Sequence, residues 1–224
     1  MGLTRTERDL ALLHVALLAA AAVVLAPGGP RGWRLVGLVV GYQVALLALA
    51  WWRADRDLVR LWWFAASFSV WMLLPDAVLH RALGILRFPP DGAPDMLGVT
   101  IAMAGMWAVP AVVVVTVARG VEERRGRSAA GVAAGLVGLV VFVAAEAVLP
   151  RLGVWVPTAV TTLGTVALYI VPAEVLLSVV LHDAAGALAT RRPAAVAGGT
   201  ALVMLLYTGA ACVSYLVVEQ VLLA

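Results

Sequence analysis

The sequence is poor in charge, has no lysine and contains a single cysteine. Charged residues make up 13% of its 224 residues, hydrophobic residues make up 63%, and the mean hydropathy is +1.01. Such a composition excludes a soluble globular domain and predicts an integral membrane protein with little mass outside the bilayer. Because Cys212 stands alone, the chain can form no internal disulfide and has no CxxC metal or haem motif.

Motifs for bound cofactors are also lacking. There is no GxGxxG after a predicted strand to hold a dinucleotide, and no DDxxD-like aspartate pair to hold a magnesium diphosphate. We therefore expect neither a cofactor nor a metal. The positive charges are all arginines in short loops, a pattern that indicates membrane topology and not nucleic-acid binding.

Long apolar runs predict seven transmembrane helices, and thus an all-α polytopic protein forming a single membrane domain over residues 1–224. The predicted spans are 10–26, 35–52, 61–80, 97–118, 128–149, 158–182 and 195–218. Arginines alternate in density between the two sides, which predicts a cell-membrane protein with a cytoplasmic N-terminus and an outer C-terminus.

A weak internal repeat relates residues 61–118 to residues 128–182. Each copy has an acid near the end of an outgoing helix, a glycine turn, and a returning helix with a Val-Pro-Ala element. In this overlay Asp76 falls on Glu146, whereas Glu174 falls on Val112. Two spans separate the copies, so they share one membrane orientation and form a parallel repeat.

Acids inside apolar helices carry the main functional signal. Asp76, Glu146 and Glu174 all fall within predicted spans, where a carboxyl group is costly unless it is protonated or paired. Glu174 is two residues after Pro172, whose missing N–H weakens a helix. Glu174 is either a proton donor or a structural hydrogen-bonding group that contacts a neighbouring helix.

Asp76 is four residues before His80, which makes a carboxyl–imidazole hydrogen bond possible on one helix face. Alternatively, His80 only meets the water interface. Counted from the predicted start of its span, Glu174 lies about 16 residues, or about 24 Å, from the outer surface, while Glu146 lies close to it. At these depths the two acids act on one substrate only if a long polyene reaches both of them or if Pro172 shifts the local depth of Glu174.

Four aromatic residues are candidate lining for a substrate cavity. Trp71 and Trp107 fall mid-span, where they either line a cavity or pack between helices, Trp155 is expected near the outer surface, and Tyr169 is one turn before Glu174. Aromatic faces stabilise cations, so these residues and His80 are the predicted substrate-binding set.

The stretches "EAVLPRLGVW" and "VPAEVLL", with the diverged copy before them, resemble the membrane-embedded lycopene cyclase domain family of tandem carotenoid cyclases, or a related family of small membrane terpenoid cyclases. The resemblance covers roughly residues 75–181. It implies acid-initiated cyclisation of a linear isoprenoid or carotenoid in the bilayer, without a flavin, with Glu174, Glu146 and Asp76 as catalytic acids or bases.

Other functions remain open at this point. Intramembrane acids also occur in proton-coupled transporters, a non-catalytic membrane subunit would need them only for helix contacts, and hydration of an isoprenoid alkene begins with the same protonation. The sequence predicts a hydrophobic substrate and the lipid bilayer as partners, no nucleic acid, and nothing about the oligomeric state.

Overall fold

Seven helical segments long and apolar enough to cross a membrane occur within residues 4–26 and 28–223, which the computed structural model describes. They are Arg5–Leu25, Gly32–Trp52, Arg56–Ala82, Met103–Arg125, Arg127–Val148, Ile170–Leu188 and Pro193–Leu222. The predicted class, an all-α polytopic membrane protein, is confirmed.

The regular helices within these segments are α1 (Arg5–Leu25), α2 (Gly32–Trp52), α3 (Arg56–Trp71), α4 (Leu73–Ala77), α5 (Met103–Met106), α6 (Ala108–Arg125), α7 (Arg127–Val148), α8 (Ile170–Leu188) and α9 (Pro193–Val217). Two π-helical turns, Val78–Ala82 and Val218–Leu222, extend α4 and α9. Helices α3, α6, α7, α8 and α9 pack on one another, and α1 packs along α2.

Short strands lie in the two long connections. They are β1 (Leu86–Arg87), β2 (Asp95–Met96), β3 (Val99–Thr100), β4 (Val156–Pro157), β5 (Thr162–Leu163) and β6 (Val166–Ala167). Strands β2 and β3 form one hairpin, β5 and β6 form another, and β1 pairs antiparallel with β4. We call the side of the bundle that carries these strands the hairpin end.

Two of the predicted spans begin too early. The fourth was expected over 97–118 and the sixth over 158–182, whereas these helical segments begin at Met103 and Ile170. The preceding residues are apolar but form the two hairpins, whose turns place Gly98 and Gly164 at φ +76° and +66°. Hydropathy counts apolar residues in a strand and in a helix alike, so the predicted spans included strand β3 of the first hairpin and the whole of the second hairpin.

The corrected boundaries also change the role of the prolines. Pro172 is the third residue of α8, and Pro110 is the third residue of α6. The first N–H groups of a helix have no carbonyl partner within it, so proline costs little there. Pro172 therefore begins a helix and does not break one.

The same order of elements occurs in both segments of the predicted repeat. Each has a long helix, a short strand, a two-stranded hairpin and a returning helix, and the short strands β1 and β4 join the two segments. The glycines at the two turns, Gly84 and Gly153, have φ of +66° and +70°. Both segments thus bring a helix C-terminus and a helix N-terminus to the hairpin end.

The long connection before α5 is fixed to its surroundings by Asp91. The Asp91 carbonyl accepts a hydrogen bond from the Gly32 N–H at 2.8 Å, and its carboxyl accepts one from the Thr100 hydroxyl at 2.7 Å. A Cβ atom at Gly32 would collide with the Asp91 side chain. This contact explains the glycine at the start of α2.

Candidate functional site

Three carboxylic acids are buried among the residues that the structure describes, and all three lie toward the hairpin end. Asp76 is in α4, Glu146 is two residues before the end of α7, and Glu174 is the fifth residue of α8. Their exposed fractions are 3%, 8% and 3%. We refer to these three residues as the acid cluster.

The expected difference in depth between Glu174 and Glu146 is wrong. Since α8 begins at Ile170, Glu174 lies about 6 Å from the start of its helix, not about 24 Å. The hairpin β5–β6 takes up the residues that the prediction placed inside the membrane. Both acids are consequently near the same end of the bundle.

The members of the acid cluster are close enough to interact electrostatically. Glu174 interacts with both Glu146 and Asp76, and Glu146 also interacts with Asp76. Within the described part of the chain, Glu174 Oε2 is buried and has no hydrogen-bonding partner. A buried polar atom without a partner is costly, so it is a candidate point of contact with a ligand or a reacting group.

Asp76 contacts a group of packed aromatic rings, which we call the aromatic wall. The Trp107 indole Nε1 donates a hydrogen bond to Asp76 Oδ2 at 3.1 Å. Around the same indole lie the rings of Phe142, Tyr207 and Phe68, with centroids 5.6, 5.6 and 6.4 Å away. The result is a carboxyl group at the edge of an aromatic wall contributed by four helical segments.

Two buried tyrosines complete the surroundings of the acids. Tyr207 and Tyr169 each interact electrostatically with all three carboxyl groups of the acid cluster. Burial, reinforced by the neighbouring carboxyl groups, raises the pKa of Tyr169 above its ordinary value. The Tyr169 hydroxyl stays protonated at neutral pH and can donate a hydrogen bond.

Trp155 is buried, not exposed at an interface. Its side chain is 8% exposed and lies against the Glu146 carboxyl. The adjoining hairpin is attached to the same helix end, because the Thr165 hydroxyl donates to the Glu146 carbonyl at 2.9 Å. Trp155, Trp107 and Tyr169 are therefore brought together with the acids.

Trp71 and His80 lie apart from this group. The Trp71 side chain is 36% exposed, and its Nε1 donates to the Ala197 carbonyl of α9 at 3.0 Å. The His80 ring, in a π-helical turn, has Nδ1 2.9 Å from the Leu86 carbonyl and stacks edge-on against Phe88. The Asp76–His80 hydrogen bond that the spacing made possible is not formed, since each side chain has another partner.

The β5–β6 hairpin is also fastened to the last helical segment. The Glu219 carboxylate accepts hydrogen bonds from the Thr161 backbone N–H at 3.0 Å and from the Thr161 hydroxyl at 2.9 Å. One turn earlier, the Ser214 hydroxyl donates to the Tyr169 carbonyl. These contacts hold the hairpin and the start of α8 against the end of α9.

Helices α7 and α8 approach closely at Gly138. A Cβ atom there would overlap the Ser178 side chain, whose hydroxyl donates to the Glu174 carbonyl at 2.8 Å. This contact sets the spacing between the helix that carries Glu146 and the helix that carries Glu174.

Sequence reasoning missed Tyr207, Phe142 and Phe68. Tyr207 is in the last span, beyond the region of the family resemblance, and the two phenylalanines look like ordinary apolar residues of a transmembrane helix. The one available signal was Tyr207 itself, a polar aromatic residue in the middle of an apolar run. No group of three or more potential metal-ligating side chains is found in the described ranges.

Comparison with known proteins identifies a family without an assigned activity. Residues 73–218 match the family described as Domain of unknown function (DUF6989). The chain belongs to the DUF6989 family. The matching region contains the acid cluster and the aromatic residues Trp107, Phe142 and Tyr207, and leaves out Phe68 and the whole of α1, α2 and α3. No curated protein and no solved structure matches the chain.

Proposed function

We propose that this DUF6989 protein catalyses the acid-initiated cyclisation of a linear isoprenoid or carotenoid within the membrane, in the manner of the lycopene cyclases that its sequence resembles. The observation that carries the proposal is the grouping of Glu174, with its unpartnered buried oxygen, with Glu146, Asp76 and an aromatic wall. The reaction needs no cofactor, and its partners are the hydrophobic substrate and the bilayer.

Glu174 supplies the proton in this proposal. Burial favours the neutral form of a carboxylic acid, and carboxyl groups that interact cannot all ionise without mutual repulsion. In this proposal at least one carboxyl group of the acid cluster carries a proton before the reaction. Among the described residues, Glu174 Oε2 has no hydrogen-bonding partner to compete for its proton, so it is the most available donor for a substrate alkene.

The chemical steps conserve atoms and charge. The Glu174 O–H bond breaks as its proton forms a C–H bond with one alkene carbon, which leaves a carbocation on the other. A second alkene of the same chain closes the ring through a new C–C bond and moves the cation onward. Loss of a proton to a carboxylate, Glu146 or Asp76, restores an alkene, so substrate and product have the same mass.

The aromatic wall suits the cationic intermediates. The rings of Phe142 and Tyr207 pack on Trp107, whose indole donates to Asp76, and a ring face within about 6 Å of a cation stabilises it. Trp155, beside Glu146, and Tyr169, beside all three acids, line the same site. We assign His80 and Trp71 no contact with substrate, since they lie apart from the acids.

The charge distribution supports a membrane orientation as part of the proposal. Arginines are denser at the end of the bundle opposite the hairpins, which supports a cytoplasmic location for that end and for the N-terminus of a cell-membrane protein. The acid cluster would then lie toward the outer leaflet, where an apolar substrate dissolved in the bilayer can reach it.

The test is expression in a host that accumulates lycopene and other linear isoprenoids, followed by chromatography and mass spectrometry of the extracted lipids. Wild type should yield a new product of unchanged mass. Glu174→Gln should reduce its formation roughly 10²–10⁴-fold, the usual contribution of a general acid. Glu123→Gln, at an exposed acid of the opposite end, is the matched control and should retain full activity.

The other outcomes separate the alternatives. A product heavier by one water molecule would show that the protein catalyses hydration and not cyclisation. Inactivity on the whole isoprenoid panel, with substrate uptake by reconstituted vesicles that Glu174→Gln abolishes, would establish a proton-coupled transporter instead. If Glu174→Gln altered only the protein's assembly, the acids would serve a structural membrane subunit.

A further inference from the structure

A second site lies at the end of the bundle opposite the hairpins, where three arginines from separate parts of the chain line one crevice. Arg60 comes from α3, Arg119 from α6, and Arg191 from the connection between α8 and α9. The acid cluster takes no part in this crevice. The crevice differs from the acid cluster in charge, because its charged lining residues are arginines.

The positive charge of this crevice is only partly neutralised. Arg60 pairs with the exposed Asp57 at 2.7 Å. Arg119 uses Nη2 to donate to the Ala185 carbonyl at 3.3 Å and interacts electrostatically with Asp57, Glu122 and Glu123. Across the described ranges, the Arg191 guanidinium has no hydrogen-bonding or ion-pairing partner. The guanidinium groups thus keep N–H donors free for an anion.

The start of α9 adds to the positive electrostatic potential of the crevice. Pro193 and Val196, in the first turn of this 25-residue helix, line the crevice, and no side chain caps the helix N-terminus. The N-terminal end of a helix carries partial positive charge. In α9 this comes from the helix dipole, since Pro193 has no N–H and the Ala195 and Val196 N–H groups donate to the Arg192 carbonyl. Together with the arginines it favours an anionic group of phosphate size.

The remaining walls are apolar and reach the lipid-facing surface. Phe64 and Leu188 line the crevice, and Trp63 beside them is 49% exposed. Exposed tryptophan next to arginine is typical of the headgroup level of a bilayer. A soluble anion would gain nothing from these apolar walls, whereas a lipid can place its headgroup on the arginines and its acyl chain along the helices.

We propose that the crevice formed by Arg60, Arg119, Arg191 and the start of α9 binds the phosphate headgroup of an anionic phospholipid. The occupant is a lipid of the surrounding leaflet, held by charge complementarity at its headgroup and by apolar contact at its chain. Binding there ties α3, α6 and α9 together at the end remote from the acid cluster. The proposal does not depend on the cyclase activity.

The test uses the full chain, purified in a neutral detergent. Bound lipid is counted by native mass spectrometry, and thermal stability is measured while dioleoyl phosphatidylglycerol, dioleoyl phosphatidylcholine or inorganic phosphate is added. Phosphatidylglycerol should bind and raise the melting temperature, and the other two should not. Arg191→Gln should weaken phosphatidylglycerol binding roughly fivefold, the effect of about one arginine near an anionic headgroup.

Arg125→Gln is the matched control, because this exposed arginine at the end of α6 removes the same charge outside the crevice. It should leave phosphatidylglycerol binding unchanged. Equal weakening by both variants would mean diffuse attraction and would overturn the site. Equal stabilisation by phosphatidylcholine would overturn the requirement for an anion, and equal stabilisation by inorganic phosphate would overturn the lipid as occupant.

Discussion

The close approach of α7 and α8 at Gly138 gives the sharpest prediction for the geometry of the acid cluster. Replacing Gly138 with alanine puts a Cβ atom into the Ser178 side chain, where it would overlap both Cβ and Oγ. One helix must then move or Ser178 must change its rotamer and lose its hydrogen bond to the Glu174 carbonyl. Either response disturbs the helix that carries Glu174.

The size of the effect follows from two opposing terms. Overpacking a tight contact costs about 1–3 kcal/mol, whereas replacing glycine by alanine inside a helix gains up to about 1 kcal/mol. Gly131 isolates the second term, because a Cβ atom there meets nothing within 4 Å. Gly138→Ala should therefore be less stable than Gly131→Ala by about 1–3 kcal/mol, or about 2–12 °C in melting temperature.

Thermal unfolding of the detergent-solubilised variants measures this difference. The double variant Gly138→Ala/Ser178→Gly should be more stable than the sum of its single effects, because Ser178→Gly removes the atoms that collide. Gly138 lies on the helix that carries Glu146, eight residues or about 12 Å away, and contacts Ser178 on the helix that carries Glu174. Because a shift between these helices changes the positions of the two acids, cyclase activity should fall in Gly138→Ala and not in Gly131→Ala. Equal stability of Gly138→Ala and Gly131→Ala would refute the close approach of the helices.

Two further predictions concern the surroundings of the site. Trp107→Phe keeps an aromatic ring but removes the hydrogen-bond donor to the buried Asp76 carboxyl, which should cost about 1–3 kcal/mol of stability and most of the activity. The control Trp71→Phe should leave activity intact. Thermal unfolding and product assays of both variants test this, and equal behaviour of the two would contradict the proposed site. Glu219→Gln weakens the hydrogen bonds with Thr161, so amide hydrogen exchange of the β5–β6 hairpin should become faster. Unchanged exchange would show that this contact does not hold the hairpin in place.

Periodicity and hydropathy found the helices that carry the acids but could not place the acids in space. The position of Glu174 shows the reason. Its depth depended on where α8 begins, and that boundary is set by a hairpin whose apolar residues are indistinguishable from a helical span by composition. Once the helix begins at Ile170, Glu174 and Glu146 lie at one end of the bundle.

The partners of the acids were likewise beyond local sequence patterns. The i to i+4 spacing suggested His80 as the partner of Asp76. Instead, His80 lies in a π-helical turn with its ring Nδ1 at the Leu86 carbonyl, and Trp107 from the next span donates a hydrogen bond to Asp76. Contacts between residues far apart in the chain depend on helix packing, which a spacing rule within one helix does not describe.

The sequence by itself determined the membrane class, the number of spans and which acidic residues fall inside apolar helices. Burial of apolar side chains in a bilayer is a property of each segment, so local composition is sufficient for that conclusion. Tertiary structure alone decided that Asp76, Glu146 and Glu174 meet beside Trp107 and Tyr207. Five helical segments have to converge before these side chains can interact, because each segment contributes only one of them.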